Sequence, residues 1–120
     1  MHESSLVRAL LTQVREACQP YSPIDIEQVV IAIGPLAGAE PLLVASAFEL
    51  LTRDTDLQHA RLVIRQVPLR LACQSCGDEY ESDEIRFICP GCASPRTKVV
   101  AGDGMILRHI IVREPQEAAP

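Results

Sequence analysis

Two short cysteine motifs, Cys73-Gln74-Ser75-Cys76 and Cys89-Pro90-Gly91-Cys92, restrict this chain more than anything else in it. Each Cys-x-x-Cys makes a tight turn that aims two sulfurs at one point, and two such turns complete a tetrahedron suited to zinc. Gly77 and Gly91 are expected to supply the unusual backbone angles of those turns. Four thiolates leave no position open to water or substrate, so the expected site is structural rather than catalytic. The segment between the motifs offers only Tyr80, Ile85, Phe87 and Ile88 as core formers, worth about 1.5–3 kcal/mol each if fully buried. A structural zinc contributes about 10–16 kcal/mol of apparent binding free energy, so the metal is expected to fold this segment. Redox-active dithiols, plain core cysteines and a rubredoxin-like iron site are the competing readings of the same spacing.

The 120 residues suit one compact domain with a small appended module. Apolar residues make up 48% of the chain but aromatics only 3%, so the core is expected to be aliphatic. Outside the cysteine segment, Tyr21 and Phe48 are its large candidates. Sixteen acidic against eleven basic residues give a formal charge of −5. That balance argues against binding nucleic acid or an anionic membrane surface. Between Cys73 and Lys98, five acids (Asp78, Glu79, Glu81, Asp83, Glu84) outnumber Arg86, Arg96 and Lys98, a poor footprint for phosphate. Gly34, Pro35 and Pro41 interrupt the richest apolar stretch well short of the roughly 20 residues that span a bilayer. The opening Met1-His2-Glu3-Ser4 does not resemble a signal peptide. A cytoplasmic location is the expectation, and in a reducing compartment paired cysteines suggest metal ligation rather than disulfides.

Leu6, Val7, Leu10, Leu11, Val14 and Cys18 recur at helical spacing and predict an amphipathic helix over residues 4–18, capped by Ser4 or Ser5 and ended by Pro20 and Pro23. The β-branched run from Ile24 to Ile33 predicts a largely buried strand ending at Gly34. Pro41 opens a second helix of about three turns carrying Leu42, Leu43, Phe48, Leu50 and Leu51. Alternation from Ala60 to Leu71, bent at Pro68, predicts a strand or two leading into the first cysteine pair. Strand character resumes at Val99-Val100 and from Met105 to Val112, with Gly102-Asp103-Gly104 as the turn between. The expected class is α+β, with two helices packed on a small, mostly antiparallel sheet and a zinc-ribbon-like module inserted between strands. Residues 1–70 with 101–113 form one discontinuous domain, 71–100 the zinc-binding module, and 114–120 a flexible tail.

A histidine at position two has its own chemistry. The terminal amine of Met1, the deprotonated His2 amide and the His2 imidazole can close fused five- and six-membered rings around one ion. Such in-plane nitrogen sets favour Ni(II) or Cu(II) over tetrahedral Zn(II). A solvated terminus with no ligand role is the plainer reading of these residues taken alone.

Met1-His2-Glu3-x-Ser5-Leu6, an Ile/Val strand ending at Gly34, Ser46-Ala47-Phe48-Glu49, and Cys-x-x-Cys followed by Cys89-Pro90-x-Cys92 together resemble the HypA/HybF family of nickel metallochaperones. The likeness runs from Met1 to about Val112 in family order. It implies nickel held at the amino terminus by His2 with backbone nitrogens, Glu3 at or around that site, and Glu40 as a further carboxylate ligand. It implies zinc on Cys73, Cys76, Cys89 and Cys92. Nickel would be transferable cargo for [NiFe]-hydrogenase maturation, with a nickel-handling GTPase and the hydrogenase large subunit as partners and urease maturation as a second client. Two positions depart from the pattern: Ala93 stands where many members have Gly, and Gly104 where an acidic residue is frequent.

The rival expectation is a zinc-ribbon interaction or regulatory module whose amino terminus is irrelevant. An enzyme is not expected, since the cysteine site has no open position and no Cys/His pair sits in motif spacing. His59 and His109 read as surface or satisfied core residues, and Cys18 and Met105 as packing.

Overall fold

The helical spacing at the start of the chain produces α1, His2–Cys18, in a computed structural model that describes residues 2–113. The expected tail at 114–120 lies outside the described residues. Val7, Leu10, Leu11 and Val14 form the buried stripe of α1, as their spacing requires. Ser4 and Ser5 stand inside the helix rather than capping it, because the helix already includes His2. Glu3 occupies the first turn, where the helix dipole favours a carboxylate. A 3-10 turn, Gln19–Tyr21, follows and leaves Tyr21 72% exposed, so this ring is not part of the core. It projects beyond the stripe, between Pro20 and Pro23, where the helical register has ended.

Nine residues form β1, Asp25–Ile33, and its last five, Val29 to Ile33, are buried. The second helix, α2, spans Pro41–Thr52. Pro41 opens it without wasting a donor, since the first-turn N–H groups have no intrahelical acceptor. Glu40 caps it by accepting a hydrogen bond from the Leu42 N–H at 3.4 Å. Val44, Ala47, Phe48 and Thr52 are buried, and α2 packs on α1. The Thr52 hydroxyl donates to the Phe48 carbonyl at 2.7 Å, so its burial leaves no polar atom unmet. Leu42, Leu43 and Leu50 face outward instead.

Pro68 separates β2, Arg61–Gln66, from β3, Leu69–Cys73. Beyond them lie β4, Glu79–Ser82, β5, Thr97–Ala101, and β6, Met105–Arg113. The expected class holds, and the inserted module brings a sheet of its own. One sheet runs in the order β2-β1-β6 and the other β4-β3-β5. In the second, β3 is antiparallel to both neighbours, with Leu71 opposite Tyr80 on one side and Val99 on the other. The sequence reading had no strand at β4.

Gly102-Asp103-Gly104 therefore joins strands of different sheets instead of turning a hairpin. Gly102 has φ +91°, and a Cβ there would lie 2.7 Å from the Pro68 carbonyl oxygen. Only glycine combines that backbone angle with so close an approach. The Gly104 and Gly102 carbonyls accept from the N–H groups of Gly34 and Leu36, each at 3.2 Å.

The chain divides into two compact units. Among the described residues, one comprises 2–31, 39–64 and 107–113, and the other 32–38 and 65–106. The second unit carries all four paired cysteines. No helix among the described residues is long and apolar enough to cross a membrane.

Candidate metal centres

Strand alternation delivers the first cysteine. Leu69, Leu71 and Cys73 share the buried face of β3, while Arg70 points outward between them. Outward-facing Arg70 pairs with Glu79 at 2.8 Å and Glu81 at 3.3 Å on neighbouring β4. The chain then turns so tightly that the Cys76 N–H points at Cys73 Sγ, 3.4 Å away.

Both cysteine turns close in the same way. The Gly77 N–H donates to the Cys73 carbonyl at 2.9 Å, and the Ala93 N–H to the Cys89 carbonyl at 2.8 Å. Gly77 has φ +81° and Ala93 φ +61°, so each turn needs a left-handed residue directly after its second cysteine. The second turn assigns that role to Ala93, not to Gly91 as the sequence suggested. Gly91 instead lies close to Asp78, whose Oδ2 would be 3.3 Å from a Cβ at this position.

All four Sγ atoms lie within 4.8 Å of one another. Cys73 and Cys92 are 3.6 Å apart, and Cys76 and Cys89 3.7 Å. An ion with bonds of about 2.3 Å to four sulfurs needs tetrahedron edges of about 3.8 Å. The cage therefore fits a tetrahedral thiophilic metal. Cys73 and Cys89 are buried and Cys76 and Cys92 exposed, so the cage has a core side and a solvent side. The Ser75 and Ser94 hydroxyls, 2.8 Å apart, tie the two turns together. Their only sequence signal was a serine within one turn and another just after the second.

The cage is electrostatically uneven. The Cys76 N–H stabilises the Cys73 thiolate and, with help from the Ser75 N–H and against desolvation, lowers its pKa to about 6. Cys76 goes the other way. The Asp78 N–H favours its thiolate, but hydrogen bonding with Cys73, desolvation and the Cys89 thiol outweigh this and push it up to about 12. Cys92 is also raised: the Ser94 N–H favours its thiolate, and Cys73 and desolvation overcome it. One thiolate is ready for a metal, while two thiols must shed protons to bind it.

Of the expected nickel residues, His2, Glu3 and Glu40 lie in the first unit. Met1 is outside the described residues, and His2 is exposed at the start of α1. Glu3 and Glu40, far apart in sequence, are brought together: the Glu40 N–H donates to Glu3 Oε2 at 3.4 Å. Among the described residues, the four cysteines are the cluster in which three or more ligating side chains could reach one ion, and His2 does not join Glu3 and Glu40 in another. His59 and His109 are exposed and Met105 is half-buried. Cys18 is half-buried as well, and desolvation raises its thiol pKa.

Comparison with known proteins turns this geometry into a family. The family described as HypA, hydrogenase/urease nickel incorporation, metallochaperone, matches residues 1–112. The hydrogenase maturation factor HypA of Aquifex aeolicus is 34% identical over 110 residues, covering 92% of this chain and 96% of that one. That of Shewanella oneidensis is 32% identical over 118 residues, covering 98% and 100%. The solution structure of the Ni metallochaperone HypA from Helicobacter pylori superposes with a TM-score of 0.71 at 25% identity, covering 92% of this chain and 96% of that one. A second solution structure of a HypA protein gives a TM-score of 0.73 at 26% identity, covering 96% and 98%. The chain belongs to the HypA family, metallochaperones of nickel incorporation into hydrogenase and urease rather than enzymes.

Proposed function

We propose that this chain binds Ni(II) at its amino terminus and delivers it during [NiFe]-hydrogenase maturation, while Cys73, Cys76, Cys89 and Cys92 retain a structural zinc. The observation that carries the nickel half is the hydrogen bond from the Glu40 N–H to the Glu3 carboxylate, which brings the Glu40 backbone to the helix start that bears His2 and Glu3. The leading N–H groups of a helix have no acceptor within it, so a chelate through the His2 amide costs α1 no hydrogen bond. The positive end of the helix dipole also favours the deprotonated amide such a chelate needs. The Met1 amine, the His2 amide and the His2 imidazole are the nitrogen donors of this reading, with Glu3 and Glu40 as oxygen donors. An open nitrogen chelate releases its ion by ligand exchange, whereas a closed cage of four thiolates keeps its own.

The partners of this reading are a nickel-handling GTPase and the hydrogenase large subunit, with urease maturation proteins as a second client, in the cytoplasm. The sequence of the helix start and the family's nickel role support it. Isothermal titration of untagged protein with Ni(II) tests it, alongside a His2→Ala variant and a chain extended by a few residues before Met1. Both changes are expected to abolish nickel binding and leave zinc content at one per chain. Undiminished nickel binding by either would instead favour a zinc-ribbon interaction module with an idle terminus.

A further inference from the structure

The segment between the two cysteine turns displays what folded chains usually hide. Ile85, Phe87 and Ile88 are 56%, 41% and 52% exposed, three large apolar side chains within four residues. The segment is tied at both ends. At its start, Ser82 Oγ donates to the Glu84 carbonyl at 2.8 Å and accepts from the Glu84 N–H at 3.2 Å. At its end stands Cys89, buried in the cage.

Beside these side chains lies a cavity of about 320 Å³, lined by Tyr80, Glu81, Ser82, Arg86, Ile88 and Pro90. The Tyr80 hydroxyl is enclosed and has no hydrogen-bond partner among the described residues. The surroundings carry Asp78, Glu79, Glu81, Asp83 and Glu84 against Arg86. Arg70 engages Glu79 and Glu81, while Asp83 and Glu84 are exposed and make no ion pair among the described residues.

We infer that the 83–88 segment is a docking surface for another protein whose matching face is an apolar groove rimmed by lysines or arginines. Charge decides between occupants. A second copy of this chain would set Asp83 and Glu84 against their own counterparts, and nucleic acid or anionic lipid would meet the same repulsion. A basic protein surface satisfies the carboxylates and covers the three apolar side chains. None of this depends on how nickel is held.

The test places the photo-reactive residue benzoylphenylalanine at position 87 of the full chain in cells, maps the cross-linked peptides, and measures affinity with the purified pair. Cross-links to one foreign protein are expected, at an apolar face flanked by Lys or Arg. Affinity should fall at least tenfold between 50 and 300 mM salt, and at least tenfold in an Asp83→Lys/Glu84→Lys variant that retains its zinc. An Ile85→Ser/Ile88→Ser variant should lose binding likewise. Cross-links to another copy of this chain or to nucleic acid, scattered or absent cross-links, or affinity indifferent to charge reversal would overturn the inference.

Discussion

The backbone N–H of Glu40, the residue that caps α2, donates to the carboxylate of Glu3 in the first turn of α1. This bond makes Glu3 both a tie between helix starts and a candidate oxygen donor, and substitution separates the roles. Glu3→Gln keeps a carbonyl oxygen for the Glu40 N–H but loses the charge. It is expected to lose only the helix-dipole contribution of the charge, about 0.3–1 kcal/mol of stability, while nickel affinity drops about tenfold, or about 1.4 kcal/mol. Glu3→Ala should lose both. Titration calorimetry and thermal melts read the two effects, and wild-type nickel affinity in Glu3→Ala would remove Glu3 from the site.

The thiol pKa values set the pH dependence of metal uptake by the cage. Between pH 6 and 9 Cys73 is largely a thiolate while Cys76, pushed up to about 12, and raised Cys92 carry protons. Metal displaces at least those two protons, so affinity rises with pH by at least about a hundredfold per unit. Below pH 6 Cys73 also takes up a proton and affinity falls more steeply. Zinc titrations in buffers of differing ionisation enthalpy count the protons released, and fewer than two would contradict this picture.

Ala93 is an alanine doing a glycine's work. At φ +61° its Cβ costs about 1–2 kcal/mol in the left-handed region, partly offset by the greater freedom of a glycine in the unfolded chain. Ala93→Gly should therefore stabilise the second cysteine turn by up to about 1 kcal/mol. Zinc loss to a competing chelator is expected to slow severalfold, and faster loss would show that the turn relaxes in some other way.

Gly102 and Gly104 should respond in opposite ways to the same change. Gly102→Ala adds a Cβ 2.7 Å from the Pro68 carbonyl oxygen and 2.9 Å from Leu69 Cα, at a φ that already disfavours it. A loss of at least about 2 kcal/mol is expected in denaturant titration. A Cβ on Gly104 would meet nothing within 4 Å, so Gly104→Ala should stay within about 0.5 kcal/mol of wild type.

Stability of the first unit should rest on burial rather than charge. Phe48→Ala empties a buried site and is expected to cost about 3–5 kcal/mol. Arg15→Ala breaks the 2.9 Å pair with Asp56, but side chains 48% and 74% exposed make such pairs worth at most about 1 kcal/mol. Equal losses in thermal melts would show that the pair matters more than its exposure allows.

The two helices, β1, the cysteine cage and the family were legible in the sequence because each is encoded locally. Val7, Leu10, Leu11 and Val14 fall on one face through helical geometry alone, and a Cys-x-x-Cys turn converges its sulfurs within four residues. The assignment of strands to two sheets was not legible, nor was the extra strand at Glu79–Ser82, whose pairing with β3 depends on a partner several residues away. Tyr21, read as core, lies outside because only packing decides where the apolar face of α1 stops. The left-handed angle of Ala93, the approach of Asp78 to Gly91 and the bond between Glu40 and Glu3 likewise belong to the folded chain. Spacing along the backbone fixes which neighbours share a turn or a face. Which distant residues meet follows from how those faces pack and which strands pair, and the tertiary structure alone settled that.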